Sequence, residues 1–173
     1  GGNVRRLNLE TNEVQSVRPS ARPTEDDEDR SYRYGWNSPV VPSQHVAGTV
    51  YLGGNHLMRS RDRGITWEEA SPDLTKKIDR DELPIMGMMT NDETLSRNDG
   101  ISSYGNITAA AESRHSADVL YVGTDDGNLQ VTTDGGATWT SVPDWGELDA
   151  NVNRFVFLEG GLGFAAGHKI HRL

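Results

Sequence analysis

The sequence predicts an all-β chain of short antiparallel strands grouped in fours, and three observations carry that reading. One eight-residue pattern occurs twice, each time after the same succession of strand-like runs. The 19 glycines and 7 prolines, with a hydrophobic content of 34%, suit many short strands joined by turns better than a helical bundle. The apolar runs are rich in β-branched and aromatic residues and are bounded by Gly, Asn and Asp, the signature of strands and hairpin turns.

The repeated pattern is [ST]-x-D-x-G-x-T-W. Ser60-Arg61-Asp62-Arg63-Gly64-Ile65-Thr66-Trp67 is one copy, and Thr132-Thr133-Asp134-Gly135-Gly136-Ala137-Thr138-Trp139 is the other, 72 positions on. From average residue usage such a pattern arises at on the order of one position in a million, so two copies are not coincidence. Thr49 to Gly53 and Leu57 to Arg59 precede the first copy as two strands; Val119 to Gly123 and Leu129 to Val131 precede the second. Trp36 to Val41 and Tyr104 to Ala111 are expected as the first strands of the two units. The residues from Thr66 and from Thr138 open the fourth strands.

The pattern itself explains a turn. The Ser60 or Thr132 hydroxyl and the Asp62 or Asp134 carboxylate can accept hydrogen bonds from turn amides that the sheet leaves unpaired. Gly64 and Gly136 can take a positive φ. Thr66 and Thr138 complete the pattern, and Trp67 and Trp139 are expected to cover the turn with a large apolar ring as the outer strand begins.

On these residues the chain resembles the Asp-box, or BNR-repeat, β-propellers: sialidases, VPS10/sortilin-like propellers and xyloglucanase-like propellers. The phrases Tyr32-Arg33-Tyr34-Gly35-Trp36-Asn37-Ser38-Pro39, Ser71-Pro72-Asp73-Leu74-Thr75 and Val122-Gly123-Thr124-Asp125-Asp126-Gly127 are similar to bacterial secreted proteins labelled as BNR-repeat glycosyl hydrolases or sortilin-like. The resemblance implies four-stranded blades with the box as the turn between the third and fourth strands. It also implies a bacterial, extracytoplasmic setting (secreted, periplasmic or cell-surface).

The expected layout follows the chain. Residues 1–20 hold the last two strands of an incomplete blade, with a turn at Glu10-Thr11-Asn12. Thr24 to Arg30 is a charged connector. Residues 31–70 and 101–143 are complete blades, separated by an insertion over 71–100 that carries a Met86-Gly87-Met88-Met89 patch. Residues 150–173 open a further blade. This is about three blades' worth, whereas propellers close with four to eight. An incomplete ring, a fragment of a larger propeller, is the expectation. Its partners are then the remaining blades of the same polypeptide or other subunits. The opening Gly1-Gly2-Asn3 fits a chain cut from something longer.

Composition narrows the functions. A net charge of -9 offers no basic stripe for phosphates, so no nucleic-acid partner is expected. No stretch approaches the roughly 20 apolar residues of a membrane span. Without cysteine there are no disulfides and no thiolate metal sites, which leaves the redox compartment open.

Candidate sites are few, and no cofactor, metal or catalytic residue is assigned. Asp125-Asp126-Gly127-Asn128 is oxygen-rich but lacks the distal Glu of a calcium loop and reads as a hairpin turn. Gly161-Leu162-Gly163-Phe164-Ala165-Ala166 fits G-x-G-x-x-A without room for the helix and acid of a dinucleotide site. His168 and His171 fall on opposite faces of a strand. Glu25 to Asp29 reads as a solvated acidic run. Asn106-Ile107-Thr108 fits a glycosylation sequon on an inner strand.

A sialidase would need an arginine triad, which Val17-Arg18-Pro19 only echoes. A xyloglucanase would need paired carboxylates, for which Glu112 is the clearest inner-strand acid. Three functions follow in order. First comes a non-catalytic binding or scaffolding segment recognising protein or peptide. Second is part of a polysaccharide-acting glycoside hydrolase, bound to glycan, whose carboxylates lie outside this chain. Third is a structural subunit of a larger assembly.

Overall fold

In a computed structural model of the chain, the described residues are 2–21, 31–84, 87–91, 93–95, 97, 99, 103–142, 152–158, 163–167 and 170–172. The connector at residues 24–30 and the Gly161-Leu162 pair lie outside them, as do Met86 and His168. Thirteen strands are described: β1 Arg5–Leu7, β2 Val14–Ser16, β3 Val40–Pro42, β4 Val50–Gly53, β5 Leu57–Ser60, β6 Glu68–Glu69, β7 Ile107–Glu112, β8 Leu120–Thr124, β9 Leu129–Thr132, β10 Thr140–Ser141, β11 Arg154–Phe157, β12 Gly163–Ala166 and β13 Ile170–Arg172. Among the described residues there is one short 3-10 turn, Arg80–Glu82.

The fold is all-β. β3-β4-β5-β6 and β7-β8-β9-β10 are four-stranded antiparallel meanders, β1-β2 is a hairpin and β11-β12-β13 a three-stranded sheet. Consecutive meanders packed face to face are the blades of a β-propeller, and among the described residues the ring is incomplete.

Both faces of a blade are covered, which is why the strands read as near-continuous apolar runs. On β4, Leu52 packs with Tyr34, Met58 and Trp67 towards the hairpin. Its neighbour Tyr51 points the other way, into a core with Leu57, Leu74, Ile107, Leu120 and Val122 between the two blades. Ala109, Val152 and Ala165 join the second blade to the three-stranded sheet.

Each junction is a notch. A Cβ on Gly53, the last residue of β4, would lie 2.7 Å from Ile107 Cγ2. A Cβ on Gly123, at the matching place in β8, would lie 2.4 Å from Val152 Cβ. The glycine near the end of the second strand of each blade is therefore where the next sheet seats an aliphatic side chain.

The β1-β2 hairpin repeats the pairing of the last two strands of the first blade. Arg6 donates to Gln15 at 2.7 Å, as Arg59 donates to Glu68 at 2.7 Å, and each pair is nine positions apart. Val17 N–H reaches Val4 O at 3.0 Å, as Ala70 N–H reaches Leu57 O at 2.8 Å. Leu7 to Val14 thus fills the place of Ser60 to Trp67, with an Asx turn at Asn8 substituting for the patterned side chains.

Three expected boundaries are corrected. Trp36 to Val41 is not a strand throughout: β3 begins at Val40, and Trp36 sits in a turn and is 81% exposed. The Pro39 carbonyl instead receives the Gly53 N–H that ends the ladder. Likewise β7 begins at Ile107 rather than Tyr104. The insertion does not begin at Ser71, because Ser71 to Thr75 is part of the first blade. Leu57 N–H donates to Ser71 Oγ at 2.7 Å, Leu74 N–H to Asn55 O at 3.0 Å, and Leu74 is buried in the core.

Candidate functional site: a cleft opposite the octapeptide turns

Antiparallel order gives the sheets two unlike ends. The octapeptide turns join β5 to β6 and β9 to β10 at one end, beside the loops that follow β3 and β7. The opposite end carries the β4–β5 and β8–β9 turns and the segments that lead into β3 and β7.

At the first end the two octapeptides form one network twice. Ser60 Oγ accepts from Gly64 N at 2.7 Å, and Thr132 Oγ1 accepts from Gly136 N at 3.0 Å. Asp62 Oδ1 accepts from Thr66 N at 2.8 Å and Oδ2 from the Thr66 hydroxyl at 2.6 Å. Asp134 does the same with Thr138, at 2.9 and 2.6 Å. Arg63 and Gly135 both have positive φ, ahead of Gly64 and Gly136. Their amides reach Gly48 O and Asp118 O, each at 2.9 Å.

The tryptophans diverge. Trp139 Nε1 donates to Ala70 O of the first blade at 3.1 Å, whereas Trp67 Nε1 is buried without a partner. Every carboxylate oxygen of both aspartates is turned inward on its own loop.

Hydrogen bonds from Thr66 and from Thr138 to the carboxylates hold the pKa of Asp62 and Asp134 at about 2, well below the ordinary value. A depressed folded pKa stabilises above the unfolded value and is lost as pH falls through the folded one. The contribution of these turns should therefore survive to about pH 4 and disappear towards pH 2. Acid titration followed by circular dichroism checks this; a main unfolding step above pH 4 that Asp62→Asn and Asp134→Asn abolish would contradict it.

Glu112 lies at the same end. It is 2% exposed and accepts from Ser43 Oγ at 2.8 Å, from Gln44 N at 2.5 Å and from Tyr51 OH at 3.5 Å. The carboxylate ties the loop after β3 to the end of β7. It is a bond between blades.

Both ends are concave: a cavity of about 600 Å³ at the octapeptide end lies between the β1-β2 hairpin and Val50, Arg63 and Ile65. At the other end a cleft of about 620 Å³ is lined by Arg33, Asn55, His56, Asp73, Lys77 and Arg80, with Ile78, Asp79 and Tyr104 at its wall. The floor is a closed network. Arg33 Nη2 reaches Asp73 Oδ2 and Thr75 Oγ1, both at 3.3 Å, and Gly105 O of the second blade at 3.3 Å. Asn55 accepts from Arg33 N at 2.8 Å and donates to Asp73 at 3.1 Å.

Burial opposes the Asp73 charge, yet hydrogen bonds from Thr75 and Asn55 and the Arg33 charge outweigh it and keep its pKa below the usual range. Two of the phrases quoted above, those of Arg33 and of Asp73, thus meet in one ion pair. The rim is different in kind. Lys77 is exposed with φ 55, a conformation that disfavours side chains, and the Arg80 guanidinium stands 5.7 Å over the Tyr104 ring.

The remaining candidates resolve locally. Asp125 accepts from Asn106 N at 2.7 Å and Asp126 from Lys76 N at 2.6 Å and from the Thr124 hydroxyl, around Gly127 at φ 78. Burial pushes the Asp125 carboxyl upward in pKa against its bonds from Asn106. No cluster of metal-binding side chains occurs among the described residues. Gly163 to Ala166 is strand β12, not the mouth of a helix. Asn106 of the sequon is 0% exposed, its amide enclosed by Ser103 and Asp125, so it is closed to glycosylation. Met88 and Met89 of the insertion are exposed, and no helix among the described residues is long and apolar enough to cross a membrane.

No protein-family profile matches the sequence, and no curated protein is similar to it at a significant level. Among solved structures, one described as YCF48 bound to D1 peptide is similar over 82% of this chain and 67% of that chain, with 14% identity and a TM-score of 0.32. Likeness at that level bears on neither ligand nor activity. The chain's own sheets make it an all-β array of propeller blades with an incomplete ring.

Proposed function

We propose that the chain is a non-catalytic binding segment of an extracytoplasmic Asp-box β-propeller, and that it recognises protein or peptide partners at the cleft end. The observation that carries this is the cleft itself, whose size falls in the range of ligand sites. Its floor is preorganised by the Arg33–Asp73–Asn55 network, and its rim is charged and aromatic.

Its acids do not favour hydrolysis. Asp73 is bound to Arg33, Asn55 and Thr75, and Asp79 caps the 3-10 turn by accepting from Asp81 N at 2.9 Å. A glycosidase needs two carboxyls free to face a sugar. The quoted sequence phrases are the support for the extracytoplasmic setting. Exposed Leu7, Val14, Val156 and Leu158 on the incomplete sheets support further blades, of the same polypeptide or another subunit, as neighbours.

Hydrogen exchange of the whole chain with and without peptides selected by display tests the reading. Slowed exchange is expected at residues 31–33, 55–56, 72–80 and 104. Protection confined to the octapeptide turns, or sugar release from a polysaccharide by the chain alone, would defeat it.

A further inference from the structure

We propose that the β1-β2 hairpin is a flap, fastened to the first blade at the cleft end and open at the octapeptide end. It closes by bringing Val17 O to Trp67 Nε1 and the Arg6 guanidinium to Arg63 O. The chain holds two junctions built from the same parts, and one of them is shut. There Trp139 Nε1 donates to Ala70 O at 3.1 Å and Arg59 Nη1 to Gly135 O at 2.9 Å. Gly136 lies so near that a Cβ on it would stand 2.3 Å from the same Ala70 oxygen.

At the junction of hairpin and first blade the corresponding residues are present and the contacts are not made. The ladder bonds place Val17 where the first blade has Ala70, and the cross-strand pairs place Arg6 where it has Arg59. Arg63 holds the position in its octapeptide that Gly135 holds in the other. Among the described residues, Trp67 Nε1 is buried with no partner and Arg6 donates to Gln15 alone. A Cβ on Gly64 would stand 3.5 Å from Val17 Cγ2 and 3.6 Å from the Trp67 ring, ordinary contacts where the shut junction has none to spare. The cavity of about 600 Å³ occupies the difference, with Arg6, Leu9 and Gln15 on one side and Arg63 and Ile65 on the other.

The fastened end acts as the hinge. Gly2, at φ 70, backs directly on Tyr34, and a Cβ there would stand 2.4 Å from Tyr34 Cβ. Val4 packs against Tyr34, Leu52 and Met58, and the Tyr34 hydroxyl donates to Pro19 O at 3.2 Å. Both ends of the hairpin are thus held on one tyrosine, while its turn stands away from the blade. Two terms favour closure. A donor shut away from water without an acceptor is penalised, and Val17 O relieves it. Leu9 and Ile65, 83% and 65% exposed on facing walls, lose apolar surface to each other. Cavity and Trp67 bond are therefore alternative states of one joint, whatever the cleft at the other end binds.

The chain has no cysteine, so Leu9→Cys with Ile65→Cys carries two spin labels at unique, exposed sites across the gap. Pulsed electron resonance on the whole labelled chain is expected to show two distance populations, the shorter being the closed flap. Trp67→Phe should lower the ratio of closed to open roughly 5-fold, the worth of one hydrogen bond. Arg6→Ala, which leaves the core untouched, should lower it to a similar degree. Trp139→Phe, at the shut junction, should leave the ratio unchanged. Retained thermal transitions show that the variants are folded, and Arg6→Ala carries the test should Trp67→Phe fail to fold. A single distance, long or short, overturns the flap. Two populations whose ratio ignores both Trp67→Phe and Arg6→Ala overturn the bonds assigned to its closure.

Discussion

Replacing Gly136 by alanine should destabilise the chain by about 3 kcal/mol, roughly three times the effect of the same change at Gly64. The two glycines hold the same place in the same eight-residue pattern, and both have positive φ, 99 and 84 respectively. Backbone strain alone is worth about 1 kcal/mol at either site. What separates them is the neighbour. A Cβ on Gly136 would lie 2.3 Å from the Ala70 carbonyl oxygen, a backbone atom that cannot step aside without moving the end of the first blade. A Cβ on Gly64 would meet Val17 Cγ2 at 3.5 Å, an ordinary contact with the end of a side chain. The same clash would disturb the bonds from Arg59 to Gly135 O at 2.9 Å and from Trp139 to Ala70 O. Urea unfolding of the two variants measures the difference. Equal losses would mean that φ alone decides and that the packing of the second octapeptide on the first blade is energetically idle.

The second large effect is expected at Glu112. Truncation to alanine removes the acceptor for Ser43 Oγ, Gln44 N and Tyr51 OH inside a site closed to water, at a cost of about 2–4 kcal/mol. Glu112→Gln keeps one acceptor oxygen and should lose about half as much. Tyr51 reports on the site directly: burial and the Glu112 charge both raise its pKa, so the alanine variant should titrate that phenol at lower pH. An acid acting in hydrolysis would behave in the opposite way, with activity lost and stability kept. Thermal melts beside a glycan-release assay separate the two roles.

What was legible in the sequence follows from how local each interaction is. The octapeptide turns close on themselves, Asp62 bonding no further than Thr66 and Asp134 no further than Thr138, so eight residues were enough to read them. The first strands were misplaced because Trp36 and Tyr104 have strand-like character but lie in approach segments, where the Arg33 and Asn106 contacts set the path. The notch at Gly53 and Gly123 reads locally as turn punctuation, and its purpose appears only when Ile107 and Val152 arrive from the next sheet. Leu7 to Val14 was legible as a hairpin, but its match in length to the octapeptide turns was not, because the turn kept its length and lost its residues. The cleft was invisible for the same reason as the notch. Its lining comes from segments around Arg33, Asn55, Asp73, Arg80 and Tyr104, far apart in the chain and joined only by folding.

The glycine notch has a mechanical consequence. At two junctions a sheet seats an aliphatic plug in the one before it, Ile107 behind Gly53 and Val152 behind Gly123. Most load between the four-stranded sheets therefore passes through nearest neighbours, as along a stack of clipped plates. A force applied to the two ends should detach the outermost sheet first and work inward one joint at a time, giving a sawtooth of discrete ruptures whose spacing reports the length of each repeat.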